Sequence, residues 1–160
     1  MTASPANPMT IELEVQRATA FEPVPDDRQF ARWAQAALGG DRTVELTLRI
    51  VGEAEGRRLN RRYRGKDAAT NVQSFPADLP PEIGLPLLGD IVLCAPLIAA
   101  EAAAQGKPAD AHWAHLTIHG VLHLLGHDHQ VAKQAEQMEA LEIAVLESLG
   151  IANPYVAREA

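Results

Sequence analysis

The run His119-Gly120-Val121-Leu122-His123-Leu124-Leu125-Gly126-His127-Asp128-His129 holds four of the six histidines in the chain. On an α-helix, residues four apart lie about 40° apart and one turn along, so His119 and His123 present two imidazoles to one point. Gly126 falls where such a helix has to stop, because glycine takes the left-handed conformation that closes a helix. A chain that turns back there returns His129 to the same point. Three neutral nitrogen ligands with a fourth position left to water are the arrangement of a catalytic zinc ion, although nickel, copper or iron accept the same ligand type. His115 extends the ladder upstream, but His115 to His123 spans about 12 Å of helix rise, too far for all three to reach one ion. His123 stands beside the Gly126 turn, so His119 pairs with His123. His112 and His115 are expected to orient other groups or to pack, and His127 to form a pocket wall or an outer hydrogen-bond donor.

The rest of the chain supplies the setting for that helix. Pro108 opens it at its first turn, and a further helix from about Val131 to Leu149 follows, with Met138, Leu141, Val145 and Leu149 on one stripe. Upstream, Leu97 to Gln105 reads as helix ended by Gly106. The continuous apolar run Ile91-Val92-Leu93-Cys94 reads as a central strand covered on both faces. Pro76 to Pro86 is rich in proline and reads as loop, and Asn71 to Phe75 as a short strand. Glu53 to Arg64 is a helix closed by Gly65, with Leu59 and Tyr63 on its apolar side. Val44, Leu46, Leu48 and Ile50 alternate as a strand, as do Ile11, Leu13 and Val15. Between those strands Phe30, Trp33, Ala34, Ala37 and Leu38 recur at helical spacing, with Asp26 or Asp27 as cap and Gly39-Gly40 as stop. The order β-α-β-α-β-β-α-α-α predicts an α+β fold: a mixed sheet of about four strands packed with about five helices, and a zincin-like metal helix. One domain over residues 10–155 is expected, with a flexible lead-in at 1–9 and a short tail at 156–160.

Composition excludes several classes. At 160 residues and 47% hydrophobic content the chain suits one core. No apolar run approaches the roughly 20 residues of a membrane span. The N-terminus has neither basic nor apolar regions of a signal peptide, and a single cysteine, Cys94, makes no internal disulfide. A cytoplasmic protein with no membrane partner is expected. Net charge is −7, but residues 1–66 carry +2 and residues 67–160 carry −9. Six of the fourteen Lys and Arg residues fall between Arg57 and Lys66. Arg57, Arg58, Arg61 and Arg62 fit a solvated helix face. Arg64 and Lys66 flank Gly65, and a basic loop near a metal centre suits a phosphodiester, since guanidinium grips phosphate oxygens through a planar fork. Aromatic residues make up 4% of the chain, and no base-stacking platform of the usual single-strand-binding kind is visible.

The histidine spacing also matches the metzincin proteases, but there a glutamate follows the first histidine and acts as base. Here that position is Gly120, so peptide hydrolysis lacks its carboxylate. Tyr63-Arg-Gly-Lys-Asp67, Thr70-Asn-Val72 with Ser74-Phe75, Leu88-Gly-Asp-Ile91 and the histidine run together resemble the YbeY family of bacterial endoribonucleases. The resemblance implies zinc, one ion per chain, on His119, His123 and His129, and a functionally important arginine at Arg64. It implies cleavage of single-stranded RNA in 3′-end maturation of small-subunit (16S) rRNA and in ribosome quality control, with the rRNA precursor, the small ribosomal subunit and its assembly factors as partners. In that reading Arg64 is catalytic, and Arg61, Arg62 and Lys66 are RNA contacts. His127 stands where the family usually has Tyr, and Gln73 where it usually has Leu. Two alternatives stay open: a non-catalytic ribosome-assembly or RNA-binding factor with a structural metal, and a metal-dependent peptidase.

Overall fold

The structure is a computed structural model, and it describes residues 10–39, 43–77, 87–127 and 131–155. The lead-in at 1–9, the tail at 156–160 and most of the loop between Pro76 and Pro86 lie outside the described residues, as does His129. The elements run β1 (Thr10–Arg17), α1 (Asp27–Leu38), β2 (Thr43–Val51), α2 (Glu53–Arg64), β3 (Val72–Pro76), β4 (Leu87–Cys94), α3 (Ala95–Gln105), α4 (Ala109–Leu124) and α5 (Ala132–Ser148). The four strands form one mixed sheet in the order β1-β2-β4-β3. β1 and β4 both run parallel to β2, whereas β3 is antiparallel to β4. This is the α+β architecture that the pattern predicts. No described helix is long and apolar enough to cross a membrane.

Alternation along β2 divides the sheet into two faces. Val44, Leu46, Leu48 and Ile50 are buried, and Leu46, Leu48 and Ile50 join Ile91 and Leu93 of β4 in the main core. Phe30 and Trp33 of α1, Trp113, Ile118 and Val121 of α4, and Met138 and Leu146 of α5 complete it. Fully burying a side chain of this size contributes about 1.5–3 kcal/mol. Val51, Val92 and Cys94 point to the other face, where Leu59, Phe75 and Leu97 cover them. β4 is therefore apolar from Ile91 to Cys94 because it is central and covered on both sides.

Local chemistry fixes the helix ends. Asp26 accepts from the backbone of Gln29 while the Gln29 side chain accepts from the Asp26 backbone, a reciprocal cap on α1. At the other end of α4, Gly126 has φ +104°. His127 N–H donates to Leu122 O at 3.1 Å and Gly126 N–H to His123 O at 3.0 Å. This Schellman pattern closes the helix one turn beyond His123. Gly120 serves packing: a Cβ there would stand 3.0 Å from Ile91 side-chain atoms, so α4 lies close on β4.

Three local expectations need correction. Leu141 is 37% exposed, and the buried stripe of α5 is Met138, Glu142 and Leu146. The helix turns 100° per residue, which puts Glu142 in line with Met138 and Leu146 and swings Leu141 outward. Tyr63, expected on the apolar side of α2, is 56% exposed. β4 begins at Leu87, before the apolar run, because Gly89 and Asp90 also pair with β3.

Candidate active site

α4 brings His119 and His123 side by side, with ring centroids 6.2 Å apart and planes at 68°. Both line a cleft of about 780 Å³ that also takes residues from α2, its closing loop, β3 and α5. Arg64 and Lys66 line it with Asn71 and Ser74. The basic segment and the histidine helix, 55 residues apart from Arg64 to His119, thus share one cleft.

Arg64 is the last residue of α2, just before the left-handed Gly65. Its Nη2 donates to the Ser74 carbonyl at 2.9 Å, and its guanidinium lies 5.7 Å from the centroid of Phe75. Ser74 Oγ in turn donates to Gly120 O at 3.2 Å, tying β3 to the turn of α4 that bears His119. Arg61 and Arg62 are not among the lining residues. Arg61 lies 3.9 Å from Asp67, and Arg62 lies 5.3 Å from the Tyr63 centroid. Arg57 grips Asp67 through two bonds of 2.7 and 2.8 Å. That contact raises the Arg57 guanidinium and lowers the Asp67 carboxyl from their ordinary values. His127 is not among the lining residues either.

The residue that composition and spacing did not single out is Glu142. Its side chain is 1% exposed. Its two oxygens hold three groups: Oε2 accepts from His119 Nδ1 at 2.6 Å, and Oε1 accepts from His115 Nε2 at 2.8 Å and from the Tyr155 hydroxyl. Burial alone would raise this carboxyl, but the bonds from His115, His119 and Tyr155 outweigh it and hold the group at about 2, below its ordinary 4.5. It is ionised at neutral pH and only accepts, so the proton of His119 sits on Nδ1. Tyr155 is pushed up by its burial and by Glu142. A second carboxylate repeats the device: Glu101 accepts from His112 Nε2 at 2.8 Å and from Asn71 Nδ2 at 3.0 Å. A sequence signal for Glu142 did exist, since an acidic residue midway between Met138 and Leu146 interrupts an apolar stripe.

The side chains present fit a metal. A histidine whose Nδ1–H donates to a carboxylate offers Nε2 to an ion with its ring orientation and tautomer set, and His123 is its neighbour one turn along. Among the described residues no three His, Cys, Asp or Glu side chains are grouped to hold an ion. The third ligand expected from the sequence, His129, is outside them. Cys94 is buried at the end of β4, and burial raises its thiol, so it acts as a small apolar side chain.

Gln73, the second departure from the family pattern, is buried in β3. Its Nε2 donates to Gly56 O at 3.3 Å, while its Oε1 has no hydrogen-bond partner.

Comparison with known proteins agrees with this architecture. A solution structure of a Thermotoga maritima protein shares the fold at a TM-score of 0.51 and 19% identity, covering 92% of this chain and 99% of that one. "Endoribonuclease YbeY" of Alkalilimnicola ehrlichii is 51% identical over 161 residues, 97% of each chain. The family profile described as Endoribonuclease YbeY matches residues 16–150. With matches of this extent, the chain belongs to the YbeY endoribonuclease family.

Proposed function

We propose that this protein is a zinc-dependent endoribonuclease, specific for single strands, that acts in the cytoplasm in 3′-end maturation of 16S rRNA and in ribosome quality control. The observation that carries the reading is the shared cleft: His119, His123, Arg64 and Lys66 line one cavity of about 780 Å³. Membership of a family of endoribonucleases supports RNA as the substrate. The resemblance of the sequence motifs to that family supports the 16S rRNA step, with the small ribosomal subunit and its assembly factors as partners.

His119, His123 and His129 would hold the zinc. Bound there, the ion supplies Lewis-acid polarisation of a phosphoryl oxygen and lowers the pKa of water. The protein's own groups do the rest. Glu142 holds His119 in one tautomer and one ring orientation. Arg64, fixed by Ser74 O and the Phe75 ring, directs a planar guanidinium at the charge that builds on the non-bridging oxygens. Lys66 contributes a point charge for a flanking phosphate. The peptidase alternative lacks a base at Gly120, and the backbone there is pressed against Ile91.

The test measures zinc content and cleavage of a labelled single-stranded RNA, the matching duplex and a peptide panel. About one zinc per chain and cleavage of the single strand alone are expected. His119→Ala should stay folded and bind RNA without cutting it. Unfolding on zinc removal, with no RNA cleavage at any zinc level, would favour the structural-metal alternative, and peptide cleavage the peptidase.

A further inference from the structure

Tyr63 stands in the last turn of α2 with more than half its surface exposed, and three neighbours give it a setting. Its ring meets Phe75 of β3 edge-on, centroids 5.4 Å apart at 66°. The Arg62 guanidinium lies 5.3 Å from the Tyr63 centroid, and that of Arg64 lies 5.7 Å from the Phe75 centroid. Phe75 packs against the Val51-Val92-Cys94 cluster and is anchored, whereas Tyr63 projects from it. The two rings line a depression of about 400 Å³ together with Leu59, Val92, the Arg49–Glu55 ion pair and Asp90. Two aromatic rings from separate elements, interleaved with two guanidiniums, are thus assembled by the fold, although aromatic residues are scarce in the chain.

We infer that Tyr63, backed by Phe75, is a stacking platform for one unpaired nucleobase of the RNA strand. Arg64 links platform and cleft: its guanidinium lies by the Phe75 ring, and it lines the cavity with His119 and His123. Tyr63 immediately precedes Arg64 in α2, so a strand with its reacting phosphate against Arg64 would carry a neighbouring base toward the Tyr63 ring, over which the Arg62 guanidinium already makes a cation–π contact. Stacking needs only a π-face, so the platform selects unpaired bases over a duplex and tolerates any base. This inference rests on the cleft being an RNA-cleaving site.

The experiment is single-turnover cleavage of a single-stranded RNA by the zinc-loaded full-length protein, with half-saturating enzyme concentration as the readout. Tyr63→Ala and Tyr63→Leu should raise that concentration about 5- to 140-fold, the range set by one base–aromatic stack. Tyr63→Phe should rescue it. An RNA with one abasic position next to the cleavage site should show the same loss with wild type and no added loss with Tyr63→Ala. Arg62→Ala should instead flatten the salt dependence. Wild-type saturation by Tyr63→Ala, or additive losses from the abasic position and Tyr63→Ala, overturns the platform while the cleavage reading stands. If wild type cleaves no RNA, both readings fall.

Discussion

Replacing Glu142 with glutamine changes one oxygen of a buried side chain to an amino group and removes a charge. The native carboxylate accepts three bonds, from His119, His115 and Tyr155. A glutamine oxygen in the Oε1 position still serves His115 and Tyr155, but its amino group then faces His119 Nδ1. Two donors cannot share that contact, so the His119 proton moves to Nε2, the nitrogen a metal requires. The opposite amide orientation keeps His119 and sets the amino group against His115 and Tyr155. Hydrogen bonds to charged groups contribute about 1.5–3 kcal/mol each, and a buried donor left unmatched costs about 1–3 kcal/mol. Glu142→Gln should therefore destabilise the metal-free protein by about 2–4 kcal/mol. Loss of a carboxylate that orients a ligand histidine should weaken zinc affinity by roughly 10- to 100-fold. Denaturant titration of the metal-free protein measures the first, and competition with a zinc chelator at pH 7 the second. Unchanged values in both assays would refute the claim that Glu142 sets the geometry of His119.

Arg64→Ala should keep fold and zinc content while slowing RNA cleavage about 100- to 1,000-fold. Arg64→Lys should recover part of that rate, as measured under single turnover. Gly126→Ala should cost about 1–2 kcal/mol in a denaturant titration, because φ at this helix stop is positive. His112 is held below its ordinary 6.5 by burial, with Glu101 opposing and Lys107 and His115 adding slightly to the depression. Its folded value is thus below its unfolded one, so the stability it contributes is present above about pH 6.5 and is lost as pH falls from there through the lower folded value. Between pH 7 and pH 5 the wild-type denaturation midpoint should fall more steeply than that of His112→Gln.

The elements were largely legible because each carries its own period or stop. β2 alternates, α4 ends at Gly126, and β4 is apolar on both faces because it is central. Two histidines four apart on a helix announce their own proximity, as His119 and His123 do. What joins distant segments was less legible. Glu142 sits in the sequence as one more acidic residue of an acidic C-terminal part. Only the packing of α5 on α4 places it under His115 and His119. The exposure of Tyr63 was hidden for a similar reason: helical spacing gives its face of α2, but the extent of β3 beside it decides whether that face is covered. Of the basic cluster, Arg64 at the end of α2 and Lys66 just beyond Gly65 reach the cleft, while Arg61 and Arg62 are turned to Asp67 and Tyr63.

The central claim is that His119 and His123 carry a metal used to cut RNA beside Arg64. It is tested most directly by stripping the purified protein of metal and titrating zinc back while recording single-turnover cleavage of a single-stranded RNA. Cleavage should be absent at first and rise to a plateau at about one equivalent of zinc in the wild type, with no rise for the folded double variant His119→Ala, His123→Ala. Full cleavage by the stripped protein, or equal restoration in the double variant, would contradict the account.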